Sequence, residues 1–184
     1  MIDVERSLPA PESLAAKRNW DGEDVKQRLL ADFLGKCYLT EELLLRGNFE
    51  IDHFCPQAQD QFPELKFEWA NLFPASPQAN LRRRRKWPEG GLLDPSAGED
   101  VEGRLLQWLD EDRNPRFIPR DSNDSAAANS ADELDHLHNH SNPKAADLRD
   151  AIRAHTACPR AGKAPGVAGA DAERRNKQCC PEKT

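Results

Sequence analysis

Two short apolar runs stand close together in this chain: "FEIDHF", residues 49–54, and "FEWANLF", residues 67–73. In the first, Phe49 and Ile51 alternate with Glu50 and Asp52, the period-two pattern of a strand with one face buried. The second run is also strand-like, and the proline-rich polar stretch between them reads as loop. Runs this short hold little apolar surface, and the chain as a whole is lean in core-forming residues: 38% are hydrophobic and 32% charged. A modest core follows.

Elements expected on either side are mostly helical. "DGEDVKQRLLADFLG" offers Asp21 as an N-cap, acids in the first turn, and Val25, Leu29, Leu30 and Phe33 at helical spacing, with Gly35 ending it. Residues 1–22, with Pro9, Pro11 and Gly22, read as an extended arm. After the turn signal "RGN" and the two strands come five consecutive cations, Arg82, Arg83, Arg84, Arg85 and Lys86, and then the loop "PEGGLLDPSAGED". "VEGRLLQWLDED" is too short to decide between strand and helix. "DSAAANSADELDHLHN" and "NPKAADLRDAIRAH" read as helices, the first with Ser130 and Glu133 at capping-box spacing, the second with Pro143 at its first position. Residues 157–184 contain Val167 as their only aliphatic residue larger than alanine, and a disordered tail is expected. No internal repeat and no Walker-type phosphate loop is present.

The formal net charge of −6 argues against coating nucleic acid through the overall field, although a local basic patch can still hold a phosphate backbone. The N-terminus lacks an apolar signal region, and no run of about 18 apolar residues occurs, so a cytoplasmic protein without membrane contact is expected. The five cysteines, Cys37, Cys55, Cys158, Cys179 and Cys180, are odd in number and unevenly spread, a poor disulfide framework that fits a reducing compartment.

Chemistry-bearing residues gather between positions 52 and 86. Asp52 and His53 are adjacent at a strand end, Asn71 lies in the second run, and Asn80 directly precedes the basic stretch. A carboxylate, an imidazole, an amide oxygen and cations are what a magnesium-assisted phosphodiesterase needs. Taken singly, each has a plainer explanation: a packed histidine, turn-forming asparagines, a solvated helix face. A second histidine group, "HLHNH" from His136 to His140, falls at the end of a helical segment and is expected to lie outside any catalytic site.

Order and flanking residues favour the functional reading. "GKCYLTEELLLRGNFEIDHFCPQ", "FPELKFEWANLFPASPQAN" and "LLDP" together resemble the HNH, or His-Me finger, endonucleases, in the branch associated with retron and Septu-type anti-phage systems. The resemblance spans roughly Val25 to Pro95. It implies an α+β fold with a small ββα-metal core over residues 37–95, an N-terminal arm and helix over 1–36, a mostly helical extension over 96–156 and the tail beyond. It implies that His53 is the general base, that Asp52 and Asn80 bind one divalent cation, Mg²⁺ or Mn²⁺, and that Asn71 braces the loop that orients His53. Arg82 to Lys86 would neutralise DNA phosphates on the following helix, and an ATPase partner is implied by the same branch. Family members commonly hold the finger together with zinc on two Cys-x-x-Cys pairs. Here those positions are Cys37 with Thr40 and Ser76 with Ala79, so a structural zinc is not expected. The apolar set Phe49, Ile51, Phe54, Phe67, Trp69, Leu72 and Phe73 is expected to replace it. Two alternatives stand beside the nuclease: a degenerate member that binds nucleic acid or a partner without cutting, and an unrelated acidic adaptor acting through the helices after Ser125.

Overall fold

A computed structural model describes residues 1–44 and 48–139 of the chain. Among them are five helices and two small antiparallel sheets, a mixed α and β architecture. Helices α1 (Glu12–Ala15) and α2 (Glu23–Asp32) precede the first hairpin, formed by β1 (Glu50–His53) and β2 (Leu72–Ala75), and α3 (Pro77–Arg82) follows it. Then come α4 (Val101–Arg104), a second hairpin of β3 (Leu105–Leu109) and β4 (Pro115–Pro119), and α5 (Ser125–Asn139). The expected helix at "NPKAADLRDAIRAH" and the tail lie outside the described residues.

Each element has a local cause, not always the expected one. α2 starts after Gly22 with no side-chain cap, so Asp21 does not cap it; it is ended by Leu34, left-handed at φ +54°, with the Gly35 N–H closing on the Leu30 carbonyl at 2.7 Å and Gly35 itself at φ +69°. In "FEWANLF", Trp69 to Asn71 form a 3₁₀ turn, and the strand begins only at Leu72, running through Pro74 to Ala75. Register pairs Asp52 with Phe73 and His53 with Leu72. "VEGRLLQWLDED" divides into α4 and β3. Asp124, not Ser130, serves the start of α5, its Oδ1 accepting from Ala127 N at 3.0 Å. Ser130 lies inside the helix, where its Oγ accepts from Leu93 N at 2.8 Å.

One hydrophobic cluster joins these elements. α2 packs on β2, α3 on β1 and α5 on β4. Phe33, Tyr38, Phe54 and Phe73 make edge and tilted ring contacts beneath the first hairpin, and Leu14, Val25, Leu29, Leu93, Leu134 and Leu137 are fully buried around them. Of the expected apolar set, Phe49 and Phe67 are partly buried and the other five are buried. The N-terminal arm is part of this core. The Arg6 guanidinium lies 4.2 Å from the Phe73 ring centroid and donates to the carbonyls of Trp69 and Leu72 at 3.0 and 2.8 Å. Val4 N donates to Pro95 O, and Asp3 Oδ1 accepts from Val101 N.

Candidate functional site

β1 decides the geometry of the site. Strand alternation puts Glu50 and Asp52 on one face, against which α3 packs. Asn80 and Arg83, one helical turn apart, meet this face: Asn80 Nδ2 donates to Glu50 Oε2 at 2.6 Å, and Arg83 Nη1 donates to Asp52 Oδ2 at 2.5 Å. Tyr38 Oη donates to the same Asp52 oxygen at 2.5 Å. The Asp52–Arg83 pair is nearly closed to water, with side chains 11% and 5% exposed. Burial works against the Arg83 charge, but the Asp52 carboxylate outweighs it and holds the guanidinium pKa above its ordinary value. Burial pushes the Tyr38 hydroxyl well up, so it stays a donor.

His53 ends the strand and is half-buried. Its Nε2 lies 3.1 Å from the carbonyl oxygen of Lys66. A carbonyl only accepts, so Nε2 carries the proton and Nδ1 keeps its lone pair. Burial lowers the imidazole pKa, opposed by the Lys66 hydrogen bond and the Asp52 charge, and the ring is neutral at pH 7. Trp20, from the N-terminal arm, covers one edge, its ring centroid 4.9 Å away at 60°.

Asn71 holds the loop between the strands. Its Oδ1 accepts from Cys55 N at 2.7 Å, and its Nδ2 donates to the carbonyls of Cys55 and Leu65, each at 3.2 Å. Leu65 precedes Lys66 and Cys55 lies two residues beyond His53, so one buried amide fixes both the base and the carbonyl that orients it.

No protein-family model, curated protein or solved structure matches this chain.

The structure thus gathers Asp52, His53, Asn71 and Asn80 around one hairpin and the helix after it. It treats the basic run unevenly. The helix ends at Arg82, so Arg84, Arg85 and Lys86 do not ride on it as expected. Arg83 is buried on Asp52; Arg84 pairs with Asp132 and Glu133 at 2.6 and 3.3 Å; Arg85 and Lys86 are exposed. Both terminal nitrogens of Arg82 are buried without a hydrogen-bond partner among the described residues. Sequence reasoning passed over Tyr38, Glu50 and the Lys66 carbonyl. The signal for Glu50 was present, since it shares Asp52's strand face; a backbone carbonyl gives none.

The four positions that the resemblance sets against zinc ligands lie close together, Cys37 by Thr40 and Ser76, and Ser76 by Ala79. Cys37, Thr40, Ser76 and Ala79 are all buried; Ser76 Oγ caps α3 by accepting from Ala79 N at 3.2 Å. Burial raises the Cys37 thiol pKa, against hydrogen bonds with the Thr40 side chain and the Ser76 backbone. Cys37 is a free thiol.

"HLHNH" falls at the end of α5, which runs to Asn139. His138 is buried and stacks on Phe117 at 5.2 Å, and burial and the N-terminal ammonium push its pKa down to about 3 despite nearby Glu41. His140 lies outside the described residues. Among the described residues no group of three or more His, Cys, Asp or Glu side chains is placed to hold a metal ion, and no helix is long and apolar enough to cross a membrane.

Proposed function

We propose that the chain is an endonuclease hydrolysing phosphodiester bonds of nucleic acid, DNA in preference to RNA, with His53 as general base. The observation that carries this reading is the bond between His53 Nε2 and the Lys66 carbonyl. It leaves a neutral imidazole with Nδ1 bare, the state needed to take a proton from an attacking water. Asn71 supports the same role by fixing the loop on both sides of the base. The succession of β1, loop, β2 and α3, and the convergence of Cys37, Thr40, Ser76 and Ala79, are what a ββα-metal finger that has exchanged its zinc for packing would present.

The residues fit a hard cation. Asp52 and the neighbouring Glu50 carry carboxylate oxygens and Asn80 an amide oxygen left over from its Nδ2 bond to Glu50, and Mg²⁺ takes one or two carboxylates, completing its shell with water and substrate phosphate. When bound, Mg²⁺ or Mn²⁺ would supply positive charge to the leaving oxygen and a non-bridging phosphate oxygen. Arg85 and Lys86, exposed beyond α3, suit contacts to flanking phosphates. A role in anti-phage defence beside an ATPase partner belongs to the same proposal and rests on the resemblance.

Plasmid nicking by the purified protein in Mg²⁺ or Mn²⁺, compared with His53→Ala, tests it. Loss of a general base should slow cutting by roughly 10²–10⁴-fold; undiminished cutting by the variant sinks the assignment. A second reading, binding without cutting, is favoured by one observation: Arg83 already neutralises Asp52. Retained DNA binding with no cutting of DNA or RNA by the wild-type protein would establish it instead.

A further inference from the structure

We propose that Arg83 and a divalent cation compete for the Asp52 carboxylate, so that the cation enters as the guanidinium leaves; this rests on the endonuclease reading. Arg83 is bound in two different ways. Nη1 and Nη2 donate to the carbonyls of His53 and Phe54, which tie the side chain to the end of β1, while Nη1 also meets Asp52, whose charge it cancels. Its Nε is buried with no hydrogen-bond partner among the described residues, so the present position leaves one donor unsatisfied.

A cation and a guanidinium cannot share this carboxylate. In a pocket almost closed to water, a doubly charged ion on Asp52 would stand against the Arg83 charge with little screening. Arg83 has somewhere to go. Glu133, on α5, lines the same small cavity as Arg83, although Glu133 is also engaged by Arg84. Tyr38 can keep its hydrogen bond to Asp52 throughout. Because Arg83 also grips the His53 carbonyl, the exchange loosens the strand end that carries the base, and occupancy of the cation site is thereby coupled to the setting of His53. Arg83 is accordingly a positioning residue.

Mn²⁺ binding to the full chain without nucleic acid, followed by the electron-paramagnetic signal of the free ion, tests the exchange apart from catalysis. Arg83→Gln, with its fold checked by circular dichroism, should bind Mn²⁺ roughly 10-fold or more tightly than wild type, because no resident charge has to leave. Asp52→Asn should abolish binding. Glu133→Gln, which removes the guanidinium's alternative acceptor, should weaken it, and this arm decides the matter if Arg83→Gln fails to fold. Equal affinity in wild type, a folded Arg83→Gln and Glu133→Gln would overturn the exchange while leaving His53-dependent cutting untouched. Absence of Mn²⁺ binding in all of them would overturn the exchange and the cation part of the endonuclease reading together.

Discussion

The side-chain amide of Asn71 clasps the backbone of Cys55 at both ends, accepting from its N–H and donating to its carbonyl, and with its second hydrogen reaches the carbonyl of Leu65. Three hydrogen bonds thus converge on one residue that is 1% exposed. Lys66 sits in a 3₁₀ helix, Pro63–Phe67, and Asn71 ties that helix to Cys55 through the Leu65 carbonyl.

Asn71→Ala should therefore cost roughly 3 kcal/mol, since it leaves the Cys55 N–H buried without a partner as well as losing three bonds. Asn71→Asp should not rescue it: a carboxylate can accept from Cys55 N but repels the two carbonyls. Urea denaturation of both variants checks this, and a loss below about 1 kcal/mol in either would show that the loop is held by other means.

The four buried positions Cys37, Thr40, Ser76 and Ala79, which flank the first hairpin, predict a gain of metal. Thr40→Cys, Ser76→Cys and Ala79→Cys together, with native Cys37, should bind one equivalent of Zn²⁺ and raise the thermal midpoint by roughly 10 °C or more, reversibly on chelation. Failure of the folded triple variant to bind Zn²⁺ would show that these positions meet only by packing and carry no memory of a tetrahedral site.

His138 predicts a pH dependence of stability. Its folded pKa, about 3, lies below the ordinary value of 6.5, so the unfolded chain takes up the proton first as pH falls. Stability from the neutral ring is fully present above pH 6.5 and declines as pH drops from there toward 3. Between pH 7.5 and 5 this amounts to about 2 kcal/mol. Comparing the pH slope of the unfolding free energy for wild type and His138→Leu tests it; identical slopes would place the titration elsewhere.

Arg6 predicts that the arm is structural. Arg6→Leu removes the side-chain donor to the Leu72 carbonyl, takes one of two donors from the Trp69 carbonyl, which keeps the Leu72 N–H, and removes the cation over Phe73, a loss of roughly 2 kcal/mol. Limited proteolysis should then cut within residues 1–20 faster than in wild type. Unchanged cleavage would mean that the arm is held by its other contacts, Asp3 with Val101, Val4 with Pro95 and Ser7 with Asp32.

How far the sequence revealed this structure depends on where the information lies. β1 was legible because Phe49, Glu50, Ile51 and Asp52 alternate on a pleat. β2 was misplaced because the side chain of Asn71 satisfies the loop backbone and permits a 3₁₀ turn where the apolar run suggests a strand, while Pro74 disguises the strand's true end. β4 went unread because its boundaries are Pro115 and Pro119, tolerable where a strand has an unpaired side. That Asp52, His53, Asn71 and Asn80 lie on or beside one hairpin follows from their order, but their partners, Arg83 and Tyr38, the Lys66 carbonyl, Cys55 and Leu65, and Glu50, were not legible. The separate fates of Arg82 to Lys86 were not either: five cations in a row look alike until Asp52 selects Arg83 and Asp132 and Glu133 select Arg84.

The N-terminal arm finds its partners far down the chain, Asp3 at Val101 and Val4 at Pro95. On a ribosome adding about 5–20 residues per second, the arm emerges on the order of ten seconds before the segment that secures it. From the time Trp69 and Phe73 are made until residues 95–101 follow, these rings and Phe33 lack the fixed Arg6 cover, and a nascent chain is open to chaperone capture or to association with its neighbours on the same messenger.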